Sequence, residues 1–327
     1  MKCSFCNKNN EDVEAMVMAT DRVAICDECI NLSEDLIEGV KHKSYIVSND
    51  CDVFYERIMT DTTHYLDNNP NLQSLVVGLS GGIDSALVAA LARDVCSTKK
   101  VKLIGAFIGI ESSQNEFDRA ILVGETYCDD FLVFDRLDKE TEIYYMIHNR
   151  IQLMWNNTRD SEDMAEKIRG GNIKARLRMI YLFDLAHRFN GMVLSTDNYT
   201  EYLLGFWTLH GDVGNYGMIQ NLWKTEVYGL SLYLQMINHE ESAALKACHE
   251  AIATDGLGIT NSDMDQIMPN WEKMCETSEE AYRIIDEILY KYVYEGKDIV
   301  NPIINMMERT RFKRRDPFNI KRHRFFS

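Results

Sequence analysis

The chain is poor in the residues that mark several protein classes. Four prolines and 18 glycines in 327 residues exclude a collagenous or linker-dominated chain. No run approaches the ~18 consecutive apolar residues that a membrane span requires. The opening Met1-Lys2-Cys3-Ser4-Phe5-Cys6 lacks the apolar stretch and small-residue cleavage site of a secretory leader, so a cytoplasmic protein is expected. Positive charge is also in deficit. With 51 acidic and 35 basic residues the net charge is −16, which disfavours broad electrostatic binding to nucleic acid or anionic lipid. Internal repeats and low-complexity runs are missing. What is there is a globular balance, 46% hydrophobic and 26% charged, which excludes wholesale disorder. At ~100–200 residues per domain, the length fits two domains or one large domain with an appendage.

Charge is unevenly spread. Residues 309–327 hold eight Arg/Lys and one Asp, a balance of +7, which leaves −23 on the rest. These cations are interleaved with Phe312, Pro317, Phe318 and Ile320. The tail could be an RNA-binding arm, or it could serve a phosphate-rich small ligand.

Four of the nine cysteines lie in the first 29 residues as two Cys-x-x-Cys pairs, Cys3/Cys6 and Cys26/Cys29. In a reducing compartment such clustering reads as a metal site, and the scattered Cys51, Cys96, Cys128, Cys248 and Cys275 as small apolar residues. Four thiolates converging on one tetrahedral ion suit Zn²⁺ and leave no open position for chemistry. The 19 residues between the pairs allow a short hairpin, with Val23 and Ile25 alternating as in a strand. Ile30, Leu32, Leu36 and Ile37 then suggest an amphipathic helix ending at Gly39. A unit of this size has too little core to fold alone, so the metal would supply its stability. Cys3-Ser4-Phe5-Cys6 and Ile25-Cys26-Asp27-Glu28-Cys29-Ile30 resemble the N-terminal zinc-binding domain of the unfoldase ClpX. That resemblance implies a docking or dimerising module over residues 1–41, and a protein partner held by it.

Residues 42–51 read as a polar linker, and 52–327 as the main domain. Leu75–Leu79, Leu103–Ile108, Phe131–Phe134 and Met192–Leu194 read as strands. Asp84–Cys96, Phe117–Tyr127 and Ile173–Phe189 read as the helices between them. This alternation predicts an α/β fold with a doubly wound parallel sheet.

The first strand runs into Leu79-Ser80-Gly81-Gly82-Ile83-Asp84-Ser85. Two glycines allow a tight turn and close backbone approach. Helix-start N–H groups and the hydroxyls of Ser80 and Ser85 then face an anion. It is neither a Walker A loop nor a dinucleotide Gly-x-Gly-x-x-Gly. The stretch resembles the pyrophosphate loop of the N-type ATP pyrophosphatases, whose fold is adenine nucleotide alpha hydrolase-like. These enzymes transfer AMP from ATP to an oxygen of the substrate and release pyrophosphate. In that pattern Asp84 helps to hold Mg²⁺.

Further segments select within the superfamily. Gly171-Asn172-Ile173-Lys174-Ala175-Arg176-Leu177-Arg178-Met179 resembles a signature of the NAD synthetases. So do Ser195-Thr196-Asp197-Asn198-Tyr199-Thr200-Glu201, the segment Gly205–Asp212, Lys224-Thr225-Glu226-Val227 and the Arg311–Pro317 tail. The resemblance covers roughly 52–320. It implies ammonia-dependent amidation of deamido-NAD through an acyl adenylate, with AMP and pyrophosphate released, in a homodimer.

The chemistry of the residues suits that reading. An acyl adenylate needs cations for ATP, a carboxylate pair for Mg²⁺ and basic groups for phosphates. Asp84 and Glu201 both follow strand ends on one sheet edge, so they can share an ion. Arg176 and Arg178 lie about 200° apart on a helix, so one of them faces the ligand. The resemblance assigns Arg176, with Asn172, Lys313 and Arg314, to deamido-NAD, and leaves Arg178 a salt bridge. It places Lys224 and Thr196 at ATP, with Ser242 in the adenosine pocket, and Asp212 beside the reacting carboxylate, where it positions ammonia.

Departures from the family pattern fall at Leu209, where Lys is frequent, at Gly256, where a carboxylate precedes Leu-Gly, at Phe312 for His and at Phe107 for Arg. Most touch dinucleotide or adenosine contacts and spare the phosphate loop. No stretch is left for a nitrilase-type glutaminase, and Lys2 rather than Cys follows Met1, so free or partner-delivered ammonia is expected. A tRNA-thiolating or 7-cyanodeazaguanine-type synthetase is the alternative enzyme. A zinc-module adaptor on a dead carrier is the non-enzymatic one.

Overall fold

The computed structural model describes residues 50–315, except 135–138, 156–163, 239–241 and 255, together with 2–4, 8, 9, 11, 13, 15–20, 23–27, 29 and 30. In the N-terminal segment, strands β1 (Met16–Thr20) and β2 (Val23–Cys26) pair antiparallel, with Met16 opposite Cys26. Cys3, Val13 and Cys26 form a small buried cluster, with Met16 and Cys29 against it. Asp27, Cys29 and Ile30 are helical. The expected amphipathic stretch from Leu32 to Gly39 and the linker up to 49 lie outside the described residues.

The main domain is built on a five-stranded sheet of order β5-β4-β3-β6-β7. Its strands are β3 (Ser74–Gly78), β4 (Lys102–Ile108), β5 (Asp130–Phe134), β6 (Gly191–Ser195) and β7 (Tyr216–Gly217), and every pairing is parallel. The α/β doubly wound class expected from the alternation is what the chain adopts. Period-two geometry sorts the strand side chains. Leu75 and Val77 face one helical layer, while Val76 faces the other. Leu103 and Phe107 lie on the first side, and Ile104, Ala106 and Ile108 on the second. The first layer holds the helices Cys51–Asn68, Ile83–Lys99, Gln114–Tyr127, Lys224–Ile237 and Ser242–His249. Across the sheet the long helix Met164–Arg188 packs on β3, β4 and β6, backed by Lys139–Trp155.

Several boundaries differ from the sequence reading by a few residues, and two of them bear on the organisation of the domain. The first helix starts at Cys51, the last residue of the expected linker. The helix expected from Ile173 instead begins at Met164 and runs through Gly170-Gly171. A Cβ at Gly170 would stand 2.8 Å from the Tyr144 hydroxyl, and one at Gly171 would stand 3.0 Å from Ile259. Close packing there offsets the helix cost of glycine, about 1 kcal/mol each.

The strand order switches sides between β3 and β6, because β4 and β5 are added to one side of β3 and β6 to the other. The crevice beyond the carboxyl ends of such strands is where open α/β sheets bind ligands.

Candidate active site

A cavity of about 600 Å³ opens at that crevice, lined among others by Leu79, Phe107, Ile108, Leu194 and Thr196 from the strand ends. Its floor is the loop after β3. Gly81 takes φ +77°, and a Cβ there would lie 2.4 Å from the Glu116 carbonyl oxygen, so no larger residue fits. The Ser80 and Ser85 hydroxyls lie 3.2 Å apart, and Gly82 N donates to Ser80 Oγ at 3.2 Å. Ser80, Gly82, Asp84 and Ser85 line the cavity, at the start of the helix Ile83–Lys99.

Asp84 and Glu201 meet across the crevice. Glu201 sits in the first turn of the helix Tyr199–Leu204, and Asn198 caps it: Asn198 Oδ1 accepts from Glu201 N at 3.0 Å. Asn198 Nδ2 also donates to Asp84 Oδ1 at 2.9 Å. One buried ammonium bridges the pair. Lys224 Nζ donates to Asp84 Oδ2 and, at 3.0 Å, to Glu201 Oε1. Burial disfavours that ammonium, but Asp84 and Glu201 outweigh it and hold Lys224 protonated well above the ordinary lysine range. Burial pushes Glu201 up to about 7 against the attraction of Lys224. Two carboxylates around a central cation form a pocket suited to a divalent ion, with the lysine as the stand-in cation. Lys224 is positioned from behind: Thr200 Oγ1 accepts from its backbone N–H at 2.9 Å and bonds the fully buried Asp286.

Farther along the cavity lies Asp212, which accepts from the Thr208 backbone N–H, while Thr208 Oγ1 donates to Asn172 Oδ1 at 2.8 Å. Burial raises the Asp212 carboxyl, and its bonds from Thr208 and the charges of Arg178 and Lys313 oppose the rise. Asp197 is also buried on the cavity wall, where burial and then Asp212 and Glu201 push it well above the carboxylate range. Lys313 Nζ donates to the carbonyls of Gly205, at 2.7 Å, and Trp207, and lies 5.5 Å from the Trp207 ring centroid.

Of the residues singled out from sequence, Ser80, Gly82, Asp84, Ser85, Asn172, Thr196, Glu201, Asp212, Lys224 and Lys313 line this one cavity. Gly81 supports it from behind. Arg176 turns to the Leu209 carbonyl, at 3.0 Å, off the cavity wall. Arg178 is on the wall, and its partners include the carbonyls of Ile108 and Gly256 and the Ser112 hydroxyl. Arg314 donates to the carbonyls of Leu203 and Met307. Ser242 opens a helix whose other end, at Cys248, reaches the wall. Among the departures, Phe107 packs edge-on to Phe117 on the wall, and Phe312 is exposed. Sequence reasoning gave no role to Asn198, Asp197 or Thr208. Asn198 was open to discovery, since Asn-x-x-Glu before a helix is a capping pattern.

In the N-terminal cluster the Sγ atoms of Cys3, Cys26 and Cys29 lie within 4.8 Å of one another. Cys3 and Cys29 are 3.7 Å apart, close to the ~3.8 Å edge of a tetrahedron with Zn–S bonds of ~2.3 Å. Cys26 N donates to Cys3 Sγ at 3.4 Å, a bond that favours a thiolate. Cys6 lies outside the described residues.

Residues 54–317 match the family model described as NAD synthase, and residues 1–39 match the ClpX C4-type zinc finger. The NH(3)-dependent NAD(+) synthetase of Fusobacterium nucleatum is 30% identical over 285 residues, covering 84% of this chain and 98% of that protein. That of Helicobacter hepaticus is 33% identical over 215 residues, 62% of this chain and 73% of that protein. Among solved structures, NMN synthetase from Francisella tularensis aligns with a TM-score of 0.64 at 21% identity, over 84% of this chain and 99% of that one. At that identity the likeness is one of fold.

Proposed function

The chain belongs to the NAD synthase family, carries a ClpX-type zinc finger at its N-terminus, and is a ligase-type enzyme; on that footing we propose that it joins ammonia to the nicotinate carboxylate of deamido-NAD at the expense of ATP. The observation that supports this most is convergence. The Ser80–Ser85 loop, the Asp84–Lys224–Glu201 cluster and the Asp212 carboxylate open into one cavity at the switch point of the sheet.

Ser80, Ser85 and the Gly82 region receive the ATP β- and γ-phosphates, with Lys224 and Thr196 beside them. Asp84 and Glu201 would hold Mg²⁺, which supplies charge neutralisation for the departing pyrophosphate. The substrate carboxylate oxygen bonds to the α-phosphorus as the bond to pyrophosphate breaks. Ammonia then adds to the acyl carbon, AMP leaves, and Asp212 takes the proton that nitrogen loses. A carboxylate made more basic by burial suits that step. Cys3, Cys6, Cys26 and Cys29 would hold a structural zinc, and residues 1–41 would form a docking module for a protein partner. A homodimer accords with the exposed apolar side chains Met164, Ile168, Ile180 and Phe183 of the long helix. Among the described residues no helix is long and apolar enough to cross a membrane.

One observation favours a second reading, with nicotinate mononucleotide as the acceptor. Arg176 and Arg314, two of the cations expected at the dinucleotide, are bound to main-chain carbonyls instead. The test is pyrophosphate release by the full chain with ATP, Mg²⁺ and ammonium, comparing the two acceptors. Release that requires deamido-NAD supports the first reading. Release only with the mononucleotide supports the second, and release with neither overturns both.

A further inference from the structure

The phosphate loop has a support that none of the motifs contains. Arg119, one turn into the helix Gln114–Tyr127, donates from Nε to the Gly81 carbonyl at 2.6 Å. In a trans peptide the C=O and the following N–H point in opposite directions. Turning the Gly81 carbonyl toward Arg119 therefore turns the Gly82 N–H the other way, to Ser80 Oγ on the cavity side. The same helix closes on the loop with its backbone, since the Glu116 carbonyl is what a Cβ at Gly81 would strike.

The charge of Arg119 is unspent. In a chain of net charge −16, no carboxylate among the described residues pairs with it; its hydrogen bond goes to a neutral carbonyl. The field of the guanidinium nonetheless reaches the cavity wall. Burial pushes the Cys248 thiol up to about 11, and Arg119 is the charge that opposes the rise. A half-buried cation with a single neutral acceptor, one peptide behind an anion loop, stabilises what that loop binds.

We infer that Arg119 is a positioning residue for the ATP phosphates: it fixes the Gly81–Gly82 peptide in its anion-receiving orientation and places an unpaired positive charge behind it. The inference rests on the reading of the loop as a phosphate site. Arg119 is not on the cavity wall, so it acts through the loop and not by touching substrate.

The test uses the full chain and two variants, Arg119→Met, which keeps the stem and removes donor and charge, and Arg119→Lys, which keeps the charge. Inorganic pyrophosphate with Mg²⁺ is titrated calorimetrically into each, and KM is measured for ATP and for the nicotinate acceptor. Loss of a charge-assisted contact predicts pyrophosphate binding weakened about 10- to 100-fold in Arg119→Met, with partial recovery in Arg119→Lys. The KM for ATP should rise while the acceptor's KM and the melting temperature stay put. Unchanged pyrophosphate affinity in Arg119→Met overturns the inference, as does an equal rise in both KM values with a lowered melting temperature. Should Arg119→Met fail to fold, the same comparison is made with Arg119→Gln. A wild-type chain that binds pyrophosphate but releases none from ATP refutes the proposed function and leaves Arg119 to be judged by the titration. A wild-type chain that does not bind pyrophosphate refutes both.

Discussion

Lys224→Met is the substitution with the largest consequence that the structure allows to be worked through. The side chain is 2% exposed and sits between two partly buried carboxylates, Asp84 and Glu201. Methionine matches its length and keeps the contact with the Tyr282 ring, over which Nζ now lies at 5.1 Å. The variant therefore removes charge and little volume. Breaking a buried ion pair by deleting one partner costs about 3–5 kcal/mol, because the other charge is left uncompensated. For a domain of this size, that lowers the melting temperature by roughly 6–20 °C. The loss should be greatest at alkaline pH, where Glu201 is ionised, and smaller as that carboxylate protonates below about 7. Mg²⁺ should now stabilise the variant more than the wild type, because no ammonium competes for the two carboxylates. A ligand at 100 times its dissociation constant returns about 2.7 kcal/mol. Turnover would not return with it, since a donor to the phosphates is gone; about 10²–10³ in rate is the expected deficit. Thermal melts with and without Mg²⁺, beside a pyrophosphate-release assay, measure all of this. A variant as stable as wild type, or one indifferent to Mg²⁺, refutes the account of Lys224 as the cation that holds the site together.

Three further outcomes are expected. Asp84→Ala and Glu201→Ala should each lower turnover by about 10²–10³ with the fold retained; circular dichroism and saturating Mg²⁺ check it, and near-wild-type rates would remove them from the site. Metal analysis should find one zinc per chain, lost on deletion of residues 1–41 while catalysis survives, because a four-thiolate site has no open position; a folded but inactive deletion protein would tie the module to the active unit. Glu226→Gln should stabilise the protein at pH 8 by a few kcal/mol and leave it unchanged near pH 4.5. Burial raises Glu226 to about 8, so the native state retains its proton, and stability falls as pH climbs from the ordinary carboxylate range to 8. Glutamine keeps the bond from Trp223 N, and identical urea midpoints at both pH values would contradict this.

The strands were legible because parallel strands buried on both faces read as short apolar runs, as β3, β4 and β6 do, and the half-buried edge strand β5 still carries the apolar run Phe131–Phe134. The phosphate loop was legible because its demands are local: a left-handed glycine, a close backbone approach and hydroxyls at the helix start all fall within Ser80–Ser85. The Gly170-Gly171 pair was not read as helix. What admits glycine there is the approach of Tyr144 and Ile259, from elsewhere in the chain, and local propensity carries no trace of it.

Helix phase explains the rest. A separation of about 200° establishes that Arg176 and Arg178 point apart. It does not say which of them faces the ligand, because absolute phase is set by what the helix packs against. Here the carbonyls of Ile108 and Gly256 draw Arg178 to the cavity, and that of Leu209 takes Arg176 outward. Arg119 is invisible to motif reading for the same reason. It lies 38 residues from the glycine it holds, on a helix that follows β4 and is brought beside the phosphate loop by the pairing of β4 with β3. Residues that bind a phosphate must sit in its loop, and so form a motif. Residues that hold the loop in place can come from any element packed behind it, and only the folded chain reveals which one does.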